Sequence, residues 1–162
     1  MYALFVDLDG VLADFDGGVR AVTGRLPADQ PIGSMWARLA RAVGFYEHLD
    51  WMPDGRRLWE AVRPLEPVIL TGLPRGAWAE PQKRAWCRRE LGAGVEVITC
   101  MSRDKARVAR EITSPGVVPV LVDDRESQRE AWESMGGVFV HHRDAGTTID
   151  ALYRIPLPVL RD

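Results

Sequence analysis

The apolar positions of this chain gather into five short, nearly unbroken runs: Ala3–Val6, Pro67–Leu70, Val95–Ile98, Val118–Val122 and Val138–Val140. A strand with one wet face alternates polar and apolar residues, whereas a parallel strand covered on both faces reads as a continuous apolar run. Helical spacing fills most of the gaps. Gln82–Leu91 follows Pro81, which suits a first helical turn, and Gly92 supplies a stop. Asp124–Met135 sets Ala131, Trp132 and Met135 on one face ahead of Gly136-Gly137. Asp54–Val62 carries Leu58, Ala61 and Val62 before Pro64. Strands alternating with helices predict an α/β fold, a Rossmann-like parallel sheet flanked by helices.

Residues 14–53 interrupt that alternation. They hold Gly17-Gly18, a loop with Pro27 and Pro31, and a helix predicted over Ser34–Val43. Ser34 suits the N-cap, and Met35, Trp36, Leu39 and Val43 follow at roughly helical spacing. The segment reads as a small helical cap inserted after the first strand, with residues 1–13 and 54–162 forming the α/β core. The tail Ile155–Leu160 is apolar but punctuated by prolines, which predicts an extended stretch packed along the core.

A chain of 162 residues has the length of one domain. Its formal net charge of -2 gives no electrostatic footprint for a nucleic-acid polymer or an anionic membrane. The first apolar run is short and has no basic region before it, so neither a signal peptide nor a membrane span is expected. Cys87 and Cys100 show no zinc or redox spacing, and reduced thiols in a cytoplasmic protein are the expectation. Of 21 basic residues only Lys83 and Lys105 are lysine. A lysine kept against so strong an arginine bias suits a position that needs a compact ammonium charge.

The chemistry lies at the strand ends. The first strand runs into Asp7-Leu8-Asp9-Gly10, and the fourth ends in Asp123-Asp124. In open α/β sheets ligands bind beyond the carboxyl ends of the strands. Carboxylates crowded there repel one another, so a divalent cation is expected. Magnesium takes near-octahedral oxygen ligation. Asp7, the Asp9 carbonyl and one of the Asp123-Asp124 pair would supply it, Asp124 directly and Asp123 behind it. Asp7 can serve as a carboxylate nucleophile, and Asp9, two residues on, can give and take a proton. Thr71-Gly72 offers a hydroxyl and free backbone N–H groups to phosphate oxygens. Lys105, in Ser102-Arg103-Asp104-Lys105, can neutralise phosphoryl oxygens; Lys83 competes for that role and Arg103 could add a second cation. His141-His142 ends the last strand, one imidazole inward and one outward.

Asp7-x-Asp9-Gly10-Val11-Leu12, Thr71-Gly72, Lys105 and Asp123-Asp124, in that order, resemble the haloacid dehalogenase (HAD) superfamily. Within it the chain is most similar to the 5'(3')-deoxyribonucleotidase family. That likeness rests on Asp7–Phe15, on Gly44–Leu49 followed by Met52-Pro53-Asp54-Gly55, on Lys83-x-x-Trp86, on Ser102–Lys105 and on Leu121–Arg125. The resemblance implies a magnesium-dependent phosphomonoesterase working through an aspartyl phosphate, with both lysines near the phosphate. It implies a small phosphorylated metabolite as substrate, a (deoxy)nucleoside monophosphate, with Phe15, Phe45 and Tyr46 among the substrate-side aromatics. Phosphatase action on a sugar phosphate or another small non-nucleotide is the first alternative, and a non-catalytic phosphate- or nucleotide-binding module the second. One departure stands out. Where that family usually shows Thr-Ser before its proline, this chain has Thr71-Gly72-Leu73-Pro74, so a serine hydroxyl is missing from the phosphate cradle.

Overall fold

Five strands, β1 (Tyr2–Val6), β2 (Val68–Gly72), β3 (Val97–Cys100), β4 (Val118–Asp123) and β5 (Val138–His141), make one sheet in the computed structural model, which describes residues 1–157. Every pairing is parallel and the order is β3-β2-β1-β4-β5, so β1 is central. All five carboxyl ends therefore share one edge.

The continuous apolar runs have the cause expected of them. Alternate strand residues face opposite sides, and both sides are covered. Leu4, Val6, Ile69, Val120 and Val122 enter one core; Phe5, Leu70, Leu121 and Phe139 enter the other. The second core is closed by α5 (Lys105–Ile112) through Ala109 and by α6 (Arg129–Ser134) through Trp132, whose ring meets Phe5 edge-on at 5.6 Å. The first core is closed by α3 (Gly55–Val62), α4 (Ala79–Glu90) and α7 (Ala145–Tyr153), with Leu58, Trp86 and Leu152 fully buried. Residues 14–53 contribute α1 (Phe15–Thr23) and α2 (Ile32–Arg41). Val19, Met35, Leu39, Phe45 and Tyr46 join the same first core, so the inserted segment packs onto the sheet's helical layer. Among the described residues no helix is long and apolar enough to cross a membrane.

Several boundaries differ from the sequence reading. β3 lies two residues later than Val95–Ile98, because its register is set by the pairing of Val97 with Ile69, while Val95 is held in a turn to Gly92. β2 continues through Thr71 and Gly72, which pair with Thr99 and Cys100. α2 begins at Ile32 with Pro31 at the cap position; Ser34 sits inside the first turn and its hydroxyl donates to the Pro31 carbonyl at 2.9 Å. The helix expected over Asp124–Met135 is divided. Asp123 Oδ1 accepts from the Arg125 N–H at 2.9 Å, which holds the chain out of helix until a 3-10 turn at Glu126–Gln128 leads into α6. Leu157 of the expected extended tail is buried, and residues 158–160 lie outside the described residues.

Candidate active site

β1 delivers Asp7 to the sheet edge. Its N–H donates to the Val122 carbonyl at 2.9 Å, which fixes it beside the end of β4. The chain then folds back, with the N–H groups of Leu12 and Ala13 both reaching the Leu8 carbonyl at 2.9 Å. Gly10 makes the turn at φ +77°, and a Cβ there would run into the Asp124 carboxylate. The glycine thus serves the turn and leaves space for an acidic side chain from another strand.

Candidate ligand oxygens of Asp7, Asp123 and Asp124 lie within 4.8 Å of one another. Lys105, at the start of α5, places Nζ 2.8 Å from Asp7 Oδ1 and 2.7 Å from Asp123 Oδ2. All three of these side chains are nearly inaccessible to water. Asp123 is fully engaged within the protein, since its other oxygen accepts from the Arg125 N–H. Asp124 is not. Its Oδ1 is buried without a hydrogen-bond partner among the described residues, as is Asp9 Oδ1. Burial, then the charges of Asp7 and Asp123, push the Asp124 carboxyl up to about 7. Burial and Asp7 also raise Asp123, against the opposing pull of Lys105. An unpaired buried acceptor costs about 1–3 kcal/mol, and more when charged. A cluster of hard oxygen donors under mutual repulsion, with one buried oxygen left over, fits a divalent magnesium ion.

Asp9 faces a different cation. Lys83, on α4, is wholly buried and donates to Asp9 Oδ2 at 2.6 Å, to the Gly72 carbonyl at 2.7 Å and to Thr71 Oγ1 at 3.0 Å. Its ammonium also lies 4.4 Å from the centre of the Tyr46 ring. Burial raises the Asp9 carboxyl despite the Lys83 charge. Asp9 is therefore a carboxyl drawn toward its protonated form but held beside a fixed cation.

These groups open onto a cavity of about 80 Å³. Of the residues singled out from sequence, Asp7, Asp9, Gly72, Lys105, Phe15 and Tyr46 line it. Asp124 borders an adjoining cavity with Asp9 and Gly10. Asp123, Thr71 and Lys83 stand behind the wall, fully buried, and meet the site through their partners. Phe45 also sits behind, edge-on to Tyr46 at 4.9 Å and to Phe15 at 5.8 Å. Arg103 is exposed and is not part of the lining; the 3-10 turn Ser102–Asp104 turns its neighbour Ser102 inward instead. Ser102 and Arg125 are lining residues that the sequence reading did not place in the site, and Trp36, whose helical spacing favours a core position, lines the cavity as well. Ser102 and Arg125 each adjoin a residue that was singled out, which was the available signal. His141 Nε2 lies 3.0 Å from the Asp124 carbonyl and so steadies that turn, while His142 is buried against Thr148.

No protein-family model and no curated protein matches the chain. Solved structures do match it in fold. A hydrolase from Streptococcus pneumoniae TIGR4 aligns with a TM-score of 0.56 at 13% identity, over 93% of this chain and 97% of its own. The HAD domain of effector protein Lem4 from Legionella pneumophila aligns at 0.52 and 12% identity, over 99% of this chain and 97% of that domain. The chain thus shares the α/β fold of these two structures over 97% of each of them.

Proposed function

We propose that the chain is a magnesium-dependent HAD-type phosphatase, acting on a small phosphorylated metabolite through an aspartyl phosphate on Asp7. The observation that carries this reading is the sharing of one ammonium by Asp7 and Asp123, with Asp124 within ligand distance of both. A carboxylate nucleophile, a fixed cation and an acidic cluster able to ligate a divalent ion at one strand edge are the parts that phosphoryl transfer needs.

In the first half of the reaction an Asp7 carboxylate oxygen bonds to phosphorus as the ester oxygen leaves. Asp9, favoured in its protonated form by burial, gives that oxygen a proton. Lys105 holds Asp7 Oδ1 and faces the cavity, where it neutralises phosphoryl oxygens. In the second half Asp9 takes a proton from water as the water oxygen attacks phosphorus and releases Asp7. Asp7, Asp124 and the Asp9 carbonyl would hold magnesium, with Asp123 behind them; when bound, the ion adds positive charge at the phosphoryl oxygens.

The substrate we favour is a (deoxy)nucleoside monophosphate, supported by the rings of Phe15, Trp36 and Tyr46 in the cavity wall. Flat aromatic surfaces suit a base or another planar group. The small volume of this cavity, about 80 Å³, supports a second reading, a sugar phosphate or similarly small ester. A panel of nucleoside and sugar phosphomonoesters, assayed with and without magnesium, separates the two. The decisive control is Asp7→Asn, which should abolish turnover and leave circular dichroism unchanged. Phosphate binding without turnover of any ester would instead establish a non-catalytic binding module.

A further inference from the structure

The residue after Thr71 is glycine, and the fold fills the space a side chain would take there. Gly72 pairs with Cys100 across β2 and β3, and the Leu73 N–H donates to the Cys100 carbonyl at 2.8 Å. This pairing brings Ser102 alongside the end of β2. A Cβ built on Gly72 would collide with Ser102 Oγ and stand 3.3 Å from Ser102 Cβ and 3.5 Å from its Cα. The Ser102 hydroxyl thus occupies the place of a side chain at position 72, on the same cavity wall as Asp7 and Lys105.

That hydroxyl does no capping. The Asp104 N–H, which a capping serine would engage, donates to the Met101 carbonyl at 2.8 Å, and among the described residues no side chain caps either the 3-10 turn or α5. Nor is Thr71 an equal candidate for the wall. It is fully buried, absent from the lining, and its oxygen accepts from Lys83. We propose that Ser102 Oγ donates a hydrogen bond to a phosphoryl oxygen of the bound ester, and that residue 72 is glycine to leave room for it. The hydroxyl expected from the residue after Thr71 is thereby delivered from β3's far end. This inference rests on the phosphatase reading and adds a substrate-binding group to it.

The test is a position swap, read by calorimetric titration with inorganic phosphate in the presence of magnesium, alongside thermal melting of each variant. Ser102→Gly should weaken phosphate binding about tenfold, the loss of one hydrogen bond to a charged group. Gly72→Ser alone should also weaken it, because the new side chain collides with Ser102. The double variant Gly72→Ser/Ser102→Gly should recover most of the affinity, since the two atoms nearest the new Cβ are removed and the residue-102 Cα stands 3.5 Å away. Should a glycine at 102 lower the melting temperature sharply, Ser102→Ala against Ser102→Thr poses the same question: loss with alanine, retention with threonine. Unchanged affinity in Ser102→Gly, or a loss that the double variant fails to recover, overturns the proposal. A wild-type chain that binds no phosphate and hydrolyses no ester removes the phosphatase reading itself. Wild-type turnover with Ser102→Gly affinity intact removes this inference alone.

Discussion

Lys83 Nζ lies 2.6 Å from Asp9 Oδ2, and the lysine has no exposed surface. Burial pushes Asp9 toward its neutral form, and Lys83 is the strongest influence in the other direction. In the proposed reaction the pair keeps this one carboxyl usable both as an acid and as a base. Lys83→Met should leave Asp9 protonated more of the time, since burial and the Asp7 charge then meet only the weaker opposing pull of Lys105. The first half-reaction, which needs the proton, should persist, and the second, which needs the base, should slow by roughly 100-fold. Acid-quenched samples should then show phosphorylated enzyme accumulating after an initial burst. Equal slowing of both halves, with no phosphoenzyme, would contradict this division of labour.

Asp123 and Asp124 are adjacent in sequence but should respond oppositely to loss of charge. Asp123 holds Lys105 and the Arg125 N–H, so Asp123→Asn should cost on the order of 2 kcal/mol of stability without metal. Asp124 has a buried oxygen without a partner among the described residues and like charges beside it, so Asp124→Asn should melt no lower than wild type without metal. Magnesium at a hundred times its dissociation constant should stabilise wild type by about 2.7 kcal/mol through mass action. Asp124→Asn should lose most of that response. Thermal melts of the three proteins with and without magnesium decide the matter.

The strand ends were readable because a buried parallel strand announces itself by an apolar run and stops at a polar residue. The sequence therefore brings Asp7, Asp9, Lys105 and Asp123-Asp124 to one edge. What the residues do beyond the edge was less readable. Whether Arg103 or Ser102 faces inward depends on the rotation of a single 3-10 turn, and no periodicity of side chains encodes that. Lys83 could be marked as unusual from composition, yet its partner, Asp9, lies 74 positions away and no local pattern pairs them. Ser34 looked like a cap because its residue type suits one, but Pro31 and the chain's entry angle start α2 earlier. Asp124 failed to open a helix because the preceding carboxylate captures the Arg125 N–H first.

Cys87 belongs to the α4 face that packs into the first core, and burial pushes its thiol up to about 12, against a lowering by Lys83. The thiolate is the reactive form, so almost none is present near pH 8. Cys100 is half-buried and also raised by burial, though it lies closer to water. A disulfide-exchange thiol reagent at pH 8 should label at most one cysteine in the native protein and two after denaturation. Rapid native labelling of Cys87 would mean that α4 leaves the sheet in solution.

His142 is buried at the end of β5, with Nδ1 2.8 Å from Thr148 Oγ1 on α7. Burial lowers its basicity below the ordinary value of 6.5, against the opposing charges of Asp54 and Asp144. The folded protein therefore takes up this proton less readily than the unfolded chain does. By linkage, this histidine costs no stability above pH 6.5, and its unfavourable contribution grows as pH falls from there through its folded value. Proton NMR should place the His142 midpoint below that of a free imidazole. His142→Asn should make the acid limb of the stability curve shallower than wild type between about pH 6.5 and 5. Parallel limbs would mean that the imidazole reaches water, and with it that α7 does not seal the end of β5.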